Sequence, residues 1–219
     1  MKVIIFGATG TAGSEVVRQA MADRNVDKVT IVVRKALDFT HPKVKMIVHQ
    51  DFLEYGSLLS EFREADACIW CLGISQNKVT KDQYHTITYD YVIAAAKAML
   101  SVNPEIKFVF LSGQGADSSE RSRILFARVK GKAENALKLL PFKWLYILRP
   151  AGIVPVFLPE NLTSAKKREF KLVKLVAKIL PGYAISTLQL SQAMLKLVKN
   201  ESPSVLLENK EIKAIADAK

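Results

Sequence analysis

The sequence predicts an α/β fold, a doubly wound and mostly parallel sheet with helices on both faces and a small C-terminal cover over a substrate cleft. Two observations predict it. Short apolar runs of strand length alternate along the chain with longer segments of helical periodicity. The first apolar run, residues 3–6, leads directly into a glycine-rich turn and then into an amphipathic segment, which is typical of a strand, a tight turn and a helix start.

The glycine-rich turn reads GATGTAG, with glycines at positions 7, 10 and 13. Gly7 permits the turn, Gly10 lets backbone amides approach a pyrophosphate, and Gly13 lets the helix pack closely on the strand. The phosphates then bind the unpaired N–H groups that open the helix. We therefore predict a dinucleotide-binding loop, which also includes Thr9, Thr11 and Ala12.

Size and composition fit one domain, residues 1–219, in which residues 151–200 cover the substrate side. Hydrophobic residues make up 49% of the chain and charged residues 24%, which excludes wholesale disorder. No apolar run reaches the roughly 18 residues of a membrane span. The chain opens on a strand and not on a basic, apolar leader, so we expect a cytoplasmic protein.

The net charge of +11 suggests an anionic partner. The basic residues are spread along the chain, however, and no nucleic-acid-binding motif accompanies them. A basic surface with a positive cleft for an anionic cofactor explains the charge without nucleic acid.

The two cysteines, Cys68 and Cys71, resemble a redox or zinc motif only in their spacing. They lie in one apolar run, where three steps along a strand span about 10 Å and place the side chains on opposite faces. No second ligand pair follows. We expect buried strand cysteines and no metal site.

Further strands and helices follow in alternation. The predicted strands are residues 28–33, 44–48, 65–72, 106–112, 143–148 and 204–207. The predicted helices are residues 84–100 and 122–140, followed by a short terminal helix. At the end of the fourth strand, the backbone at Leu72 and Gly73 is expected to pass over the nicotinamide-side ribose, where ligands bind in open α/β sheets.

Arg34 ends the second strand, about twenty residues after the glycines. An acidic residue at this place holds the ribose 2′-hydroxyl of NAD, whereas arginine suits the 2′-phosphate of NADP. Arg34 therefore favours NADP(H), with NAD(H) as the second possibility. The alternative is an ordinary cation at the end of a strand.

Motifs in a consistent order connect the chain to a known family. They are GATGTAGSEVV, WCLG, YDYVIAAAKA, SGQGAD, VKG, LRPAGI and LLENKEI. Together they resemble the atypical short-chain dehydrogenases/reductases, close to the Tat-interacting oxidoreductase-like and NmrA-like groups. The resemblance spans nearly the whole chain and implies a Rossmann fold and bound NADP(H).

The resemblance also implies site residues. Ser112 and Lys130 occupy two catalytic positions, and Lys130 also holds the cofactor ribose; the third position, a tyrosine that exchanges the proton, is Phe126 here. Further cofactor contacts are implied for Asp51 and Phe52 at the adenine, and for Pro150 and Ile153 in an RPG-type turn. For Asp51 the alternative is that it begins a turn or caps a helix.

Two functions remain open on this basis. One is an NADPH-dependent oxidoreductase that acts on a small carbonyl, a quinone or an enone. The other is a non-catalytic NAD(P)H sensor, because phenylalanine cannot exchange a proton. A nucleotide-sugar epimerase fits less well, since the chain is short for the substrate domain of those enzymes.

Lysines alternate with apolar residues in the segment 165–180, which predicts a basic amphipathic helix. Such a helix is either the solvated outer face of a lid or a peripheral contact to an anionic membrane. We expect a small-molecule substrate and a monomer or homodimer.

Overall fold

The computed structural model describes residues 1–157, 168, 181–200 and 206–218. Within these ranges the strands are β1 (Lys2–Phe6), β2 (Lys28–Val33), β3 (Val44–Val48), β4 (Ala67–Trp70), β5 (Lys107–Leu111), β6 (Leu145–Arg149), β7 (Gly152–Val154), β8 (Ala184–Ser186) and β9 (Leu206–Glu208). The helices are α1 (Thr11–Ala22), α2 (Leu59–Glu64), α3 (Lys81–His85), α4 (Tyr91–Val102), α5 (Leu125–Lys138), α6 (Thr187–Lys199) and α7 (Asn209–Asp217).

Seven strands form one parallel sheet in the order β3-β2-β1-β4-β5-β6-β9. β1 lies near the centre, and the chain continues first to one side of it and then to the other. The carboxyl ends of β1 and β4 therefore border the crevice where open α/β sheets bind ligands. The predicted doubly wound sheet is confirmed. A separate parallel pair, β7 and β8, lies beside it.

Both faces of the sheet are buried, since side chains alternate along each strand. Val3 and Ile5 belong to the core that includes α1, α6 and α7, whereas Ile4 and Phe6 belong to the core that includes α2, α4 and α5. Burial on both faces explains why the central strands are continuous apolar runs in the sequence.

The helix that follows β4 differs from its predicted form. It begins at Lys81 and not at Tyr84, and a π-helical turn at Thr86–Asp90 separates α3 from α4. A capping box between Thr80 and Gln83 explains the earlier start, because each side chain binds the other residue's backbone N–H. The π turn has no signature in residue periodicity. The other predicted elements differ from the observed ones by a few residues at their ends.

Most of the predicted basic helix at residues 165–180 lies outside the described residues. In the described part of the chain, no helix combines the length and the apolar character that crossing a membrane requires.

Candidate cofactor and substrate site

The glycine loop joins β1 to α1 in a conformation that requires glycine at two positions. Gly7 has a φ of +79°, and a Cβ there would lie 2.5 Å from the carbonyl carbon of Cys71. A Cβ on Gly13 would lie 2.1 Å from the carbonyl oxygen of Gly7. Gly10 precedes α1 without a side-chain cap, so the first N–H groups of the helix stay open to a ligand. This cradle fits the pyrophosphate of a dinucleotide.

A groove runs from this loop along the carboxyl ends of the strands in two directions. Toward β2, cavities of about 170 and 550 Å³ share the lining residues Thr9, Val33 and Arg34. Toward β5, a cleft of about 620 Å³ includes Gly10, Ala12, Leu72 and Gly73 and extends to Ser112, Phe126 and Lys130. The groove therefore connects the predicted cofactor loop with the predicted catalytic residues.

Lys130 lies at the far end of the cleft, on α5. Only 8% of its surface is exposed, its Nζ donates to the carbonyl oxygen of Leu111 at 2.8 Å, and it sits 4.7 Å from the ring centre of Phe110. Burial lowers the pKa of the Lys130 ammonium to about 8, although the nearby Glu134 carboxylate opposes that shift. An ammonium that donates one such bond has two N–H groups left for a ligand in the cleft.

We expect the affinity for NADPH to fall as pH rises through about 8, because the Lys130 amine loses its charge there. Calorimetric titrations between about pH 7 and pH 9 measure this dependence. The matched variant is Lys130→Arg, whose guanidinium stays charged across this pH range. Its affinity for NADPH should therefore change little with pH. If the NADPH affinity of the wild type is as independent of pH as that of the variant, the proposed contact between Lys130 and the cofactor is contradicted.

Ser112 also lines the cleft, but its hydroxyl group is engaged elsewhere. Its Oγ donates to Oε1 of Glu134 at 2.5 Å, and Glu134 is completely buried. The same carboxylate accepts from Nε of Arg149 at 2.9 Å and from Nη2 at 2.5 Å. Since its proton is used in this bond, Ser112 offers the cleft an acceptor lone pair more readily than a donor.

Phe126 occupies the implied tyrosine position at the start of α5. Its ring lies over Gly113, where a Cβ would come within 2.8 Å of Cζ. Its backbone N–H donates to the side chain of Gln76 at 2.8 Å, which ties this end of α5 to the loop after β4. The cleft therefore has an apolar wall at the point where the resemblance would place a proton donor.

Two further pairs of residues were expected to contact the cofactor, and in each pair only one residue lines the groove or the cleft. Phe52 lines the groove, whereas the exposed Asp51 accepts the backbone N–H of Leu53 at 3.0 Å and is not a lining residue. Ile153 lines the cleft, whereas Pro150 is buried and is not a lining residue. The geometry at Asp51 matches the turn alternative.

Two residues of the site, Thr88 and Glu134, were not identified from the sequence. Thr88 lines the cleft from the π turn, next to Tyr84 of α3 and Lys78 of the preceding loop. The spacing of four residues between Tyr84 and Thr88 is a usable signal for one helix face. Glu134 gave no signal, because a charged residue on a helix is normally exposed.

Both cysteines are free thiols. Cys68 is fully buried and Cys71 lines the groove, and burial raises the pKa of both thiols. Within the described ranges, no group of three or more histidine, cysteine, aspartate or glutamate side chains is arranged to hold a metal ion.

A model of the NAD(P)H-binding family matches residues 7–201. The chain belongs to this family. Protein HTATIP2 of Rattus norvegicus is 28% identical over 214 residues, which cover 96% of this chain and 87% of that protein. Protein FMP52, mitochondrial, of Candida albicans is 27% identical over 158 residues, covering 70% of this chain and 68% of that protein. The resemblance to atypical short-chain dehydrogenases/reductases near the HTATIP2 group is confirmed.

Solved structures of the same fold belong to several enzymes. The structure of DesIV, a dTDP-glucose 4,6-dehydratase from Streptomyces venezuelae with NAD and TYD bound, has a TM-score of 0.70 at 15% identity. It covers 99% of this chain and 80% of that one. UDP-N-acetylglucosamine 4-epimerase from Bacillus cereus has a TM-score of 0.69 at 17% identity, and the match covers 97% of this chain and 79% of that one. At these identities the similarity shows the fold alone.

A nicotinamide dinucleotide is therefore the cofactor of this family, and the glycine cradle of this chain fits it. FMP52 is named as a mitochondrial protein. The cytoplasmic location expected for this chain stays a prediction.

Proposed function

We propose that the protein is an NADPH-dependent oxidoreductase for activated acceptors, such as quinones and conjugated enones. The observation that carries this proposal is the 620 Å³ cleft, which continues from the glycine loop to the buried Lys130. A sensor needs room for the cofactor alone. The cleft is also lined by Phe126 and Ile153, and we take the space beside these two side chains as the place of a second molecule.

The residues of the cleft favour acceptors of this kind. When bound, the cofactor supplies a hydride. Lys130 would hold the cofactor ribose and keep a positive charge beside the acceptor, while the partly exposed Phe126 and Ile153 provide apolar surface for a flat ring. Without a tyrosine at position 126, a simple ketone lacks general-acid help worth about two to four decades of rate. Quinones and enones are already electrophilic, so their reduction loses less rate when general-acid help is missing.

The substrate-side cover, residues 151–200, is part of the same proposal. Ala151, Gly152 and Ile153 line the cleft, and the last two belong to β7. The backbone N–H of Ala151 donates to the side chain of the buried Asn209 at 3.0 Å, which also binds the carbonyl of Gly182. One residue of the LLENKEI motif, Asn209, thus contacts the cover at its start, Ala151, and again at Gly182.

The cofactor preference rests on Arg34. It is exposed, lines the two cavities on the β2 side, and has Lys35 beside it. The cavity of about 550 Å³ there is lined by both cations and no carboxylate among the described residues. This charge suits the 2′-phosphate of NADPH.

We expect Arg34→Asp to abolish the preference for NADPH over NADH, with NADPH affinity falling roughly tenfold or more because a charge-assisted phosphate contact is lost. Equilibrium binding of both cofactors to wild type and variant measures the change. Arg24→Asp, which reverses a charge away from the groove, is the control. An unchanged ratio in Arg34→Asp would overturn the assignment.

The proposed activity is tested by following NADPH oxidation with naphthoquinone, a conjugated enone and a simple ketone under the same conditions. We expect turnover with the first two and little with the ketone. If none of the three accepts electrons while NADPH binds normally, the oxidoreductase proposal fails.

A non-catalytic NAD(P)H sensor is the second candidate. It is favoured by the engaged hydroxyl of Ser112 and by the phenylalanine at position 126, which together leave the usual catalytic group incomplete. Tight cofactor binding without turnover of any acceptor would support it.

A further inference from the structure

The charges that line the substrate cleft are unbalanced. Among its described lining residues are two lysines, Lys78 and Lys130, and no aspartate or glutamate. Glu134 lies behind Ser112, is completely buried, and is paired with Arg149 at 2.5 Å. Its carboxylate is thus paired with Arg149 and acts on the buried Lys130, whereas no carboxylate among the described lining residues of the cleft accompanies Lys78.

The two lysines differ in what they already bind. The Lys130 ammonium donates to Leu111 and is the group that the family resemblance assigns to the cofactor ribose. The Lys78 ammonium is exposed and has no hydrogen-bond or ion-pair partner within the described ranges. Lys78 is therefore the cation of the cleft that is available to a second molecule.

The backbone that carries Lys78 is held in place from both sides. Lys78 ends a short 3-10 turn, and its N–H donates to the carbonyl of Ser75 at 3.0 Å. Gln76, in the same turn, accepts the N–H of Phe126 at 2.8 Å. The turn is thus attached to the start of α5, beside the apolar wall where the acceptor would lie.

We infer that the protein selects acceptors that carry a negatively charged group, a carboxylate or a sulfonate, which Lys78 binds while the apolar part of the molecule packs between Phe126 and Ile153. This inference rests on the proposed function, because it concerns the acceptor of that reaction. Positioned in this way, Lys78 determines specificity and takes no part in hydride transfer.

The test compares a naphthoquinone that carries a ring carboxylate with its methyl ester, which has nearly the same shape without the charge. Both are assayed with saturating NADPH on wild type, Lys78→Met and Lys81→Met. Lys81 is the matched control, because it is an exposed lysine three residues further on and does not line the cleft. Binding of each compound in the presence of NADP⁺ is measured by calorimetry as a second readout.

We expect Lys78→Met to lower the ratio of kcat/KM for the carboxylate to that for the ester by roughly three- to fivefold, the upper range for an exposed charged contact. The ratio of the two affinities should fall in parallel. Lys81→Met should change the ratio by less than about twofold.

Other outcomes would overturn the inference. An unchanged ratio in Lys78→Met removes the role of Lys78, and an equal fall in both variants shows a general effect of net charge. A loss of NADPH affinity with no change in the ratio assigns Lys78 to the cofactor. If neither compound is reduced, the proposed function fails, and the binding ratio alone then decides the inference; no binding of the carboxylate contradicts it as well.

Discussion

Replacing Glu134 with glutamine should lower the free energy of unfolding by about 3 kcal/mol, because the largely buried Arg149 guanidinium loses its buried carboxylate partner and keeps only Glu208 and Ser118. The guanidinium of Arg149, only 13% exposed, relies on this carboxylate for its shortest hydrogen bonds. For a chain of this length, a loss of that size lowers Tm by roughly 10 °C. Urea unfolding followed by circular dichroism measures the change.

The matched control is Glu208→Gln. Glu208 contacts the same guanidinium at 3.2 Å but is 46% exposed, so its loss should cost less than about 1 kcal/mol. A cost for Glu134→Gln as small as that of the control would show that the buried pair does not hold α5 against the sheet. Lys130 lies one helical turn before Glu134, and the Glu134 carboxylate favours the charged form of its ammonium. Glu134→Gln should therefore also weaken NADPH binding.

Replacing Phe126 with tyrosine should raise kcat/KM for simple ketones and aldehydes about a hundredfold, because it restores a proton donor one turn from Lys130. The Lys130 ammonium would lower the pKa of the new phenol, because a nearby positive charge stabilises the phenolate. Rates with quinones should rise far less, since these acceptors depend less on acid catalysis. Steady-state kinetics with one ketone and one quinone measure both.

Phe126→Leu is the control for this substitution. It changes the packing over Gly113 without adding a hydroxyl group and should not raise the ketone rate. If Phe126→Tyr leaves the ketone rate unchanged while NADPH still binds, the cleft does not contain a latent reductase site, and the sensor function gains support.

Much of the fold was predictable because the sheet is buried on both faces. Each central strand is an apolar run, and the glycines at positions 7 and 13 mark the first turn for steric reasons that the structure bears out. The π-helical turn at Thr86–Asp90 was not predictable. Its presence depends on packing around the helix, which residue periodicity does not record.

The candidate site was predictable for residues whose place follows from the order of strands and helices. Ser112 reaches the cleft because it directly follows β5, whose carboxyl end lies at the same edge of the parallel sheet as those of β1 and β4. The direction of the Ser112 hydroxyl was not predictable. It depends on Glu134, which is 22 residues away in sequence, and no local pattern identifies that pairing.

The most direct test of the oxidoreductase proposal is a single-turnover reaction of the protein with NADPH deuterated at the transferable hydrogen and an excess of naphthoquinone. We predict NADPH oxidation at a rate well above that without protein and slower with the deuterated cofactor, as enzymic hydride transfer requires. Bound NADPH that remains reduced, or is oxidised no faster than in free solution, would contradict the account.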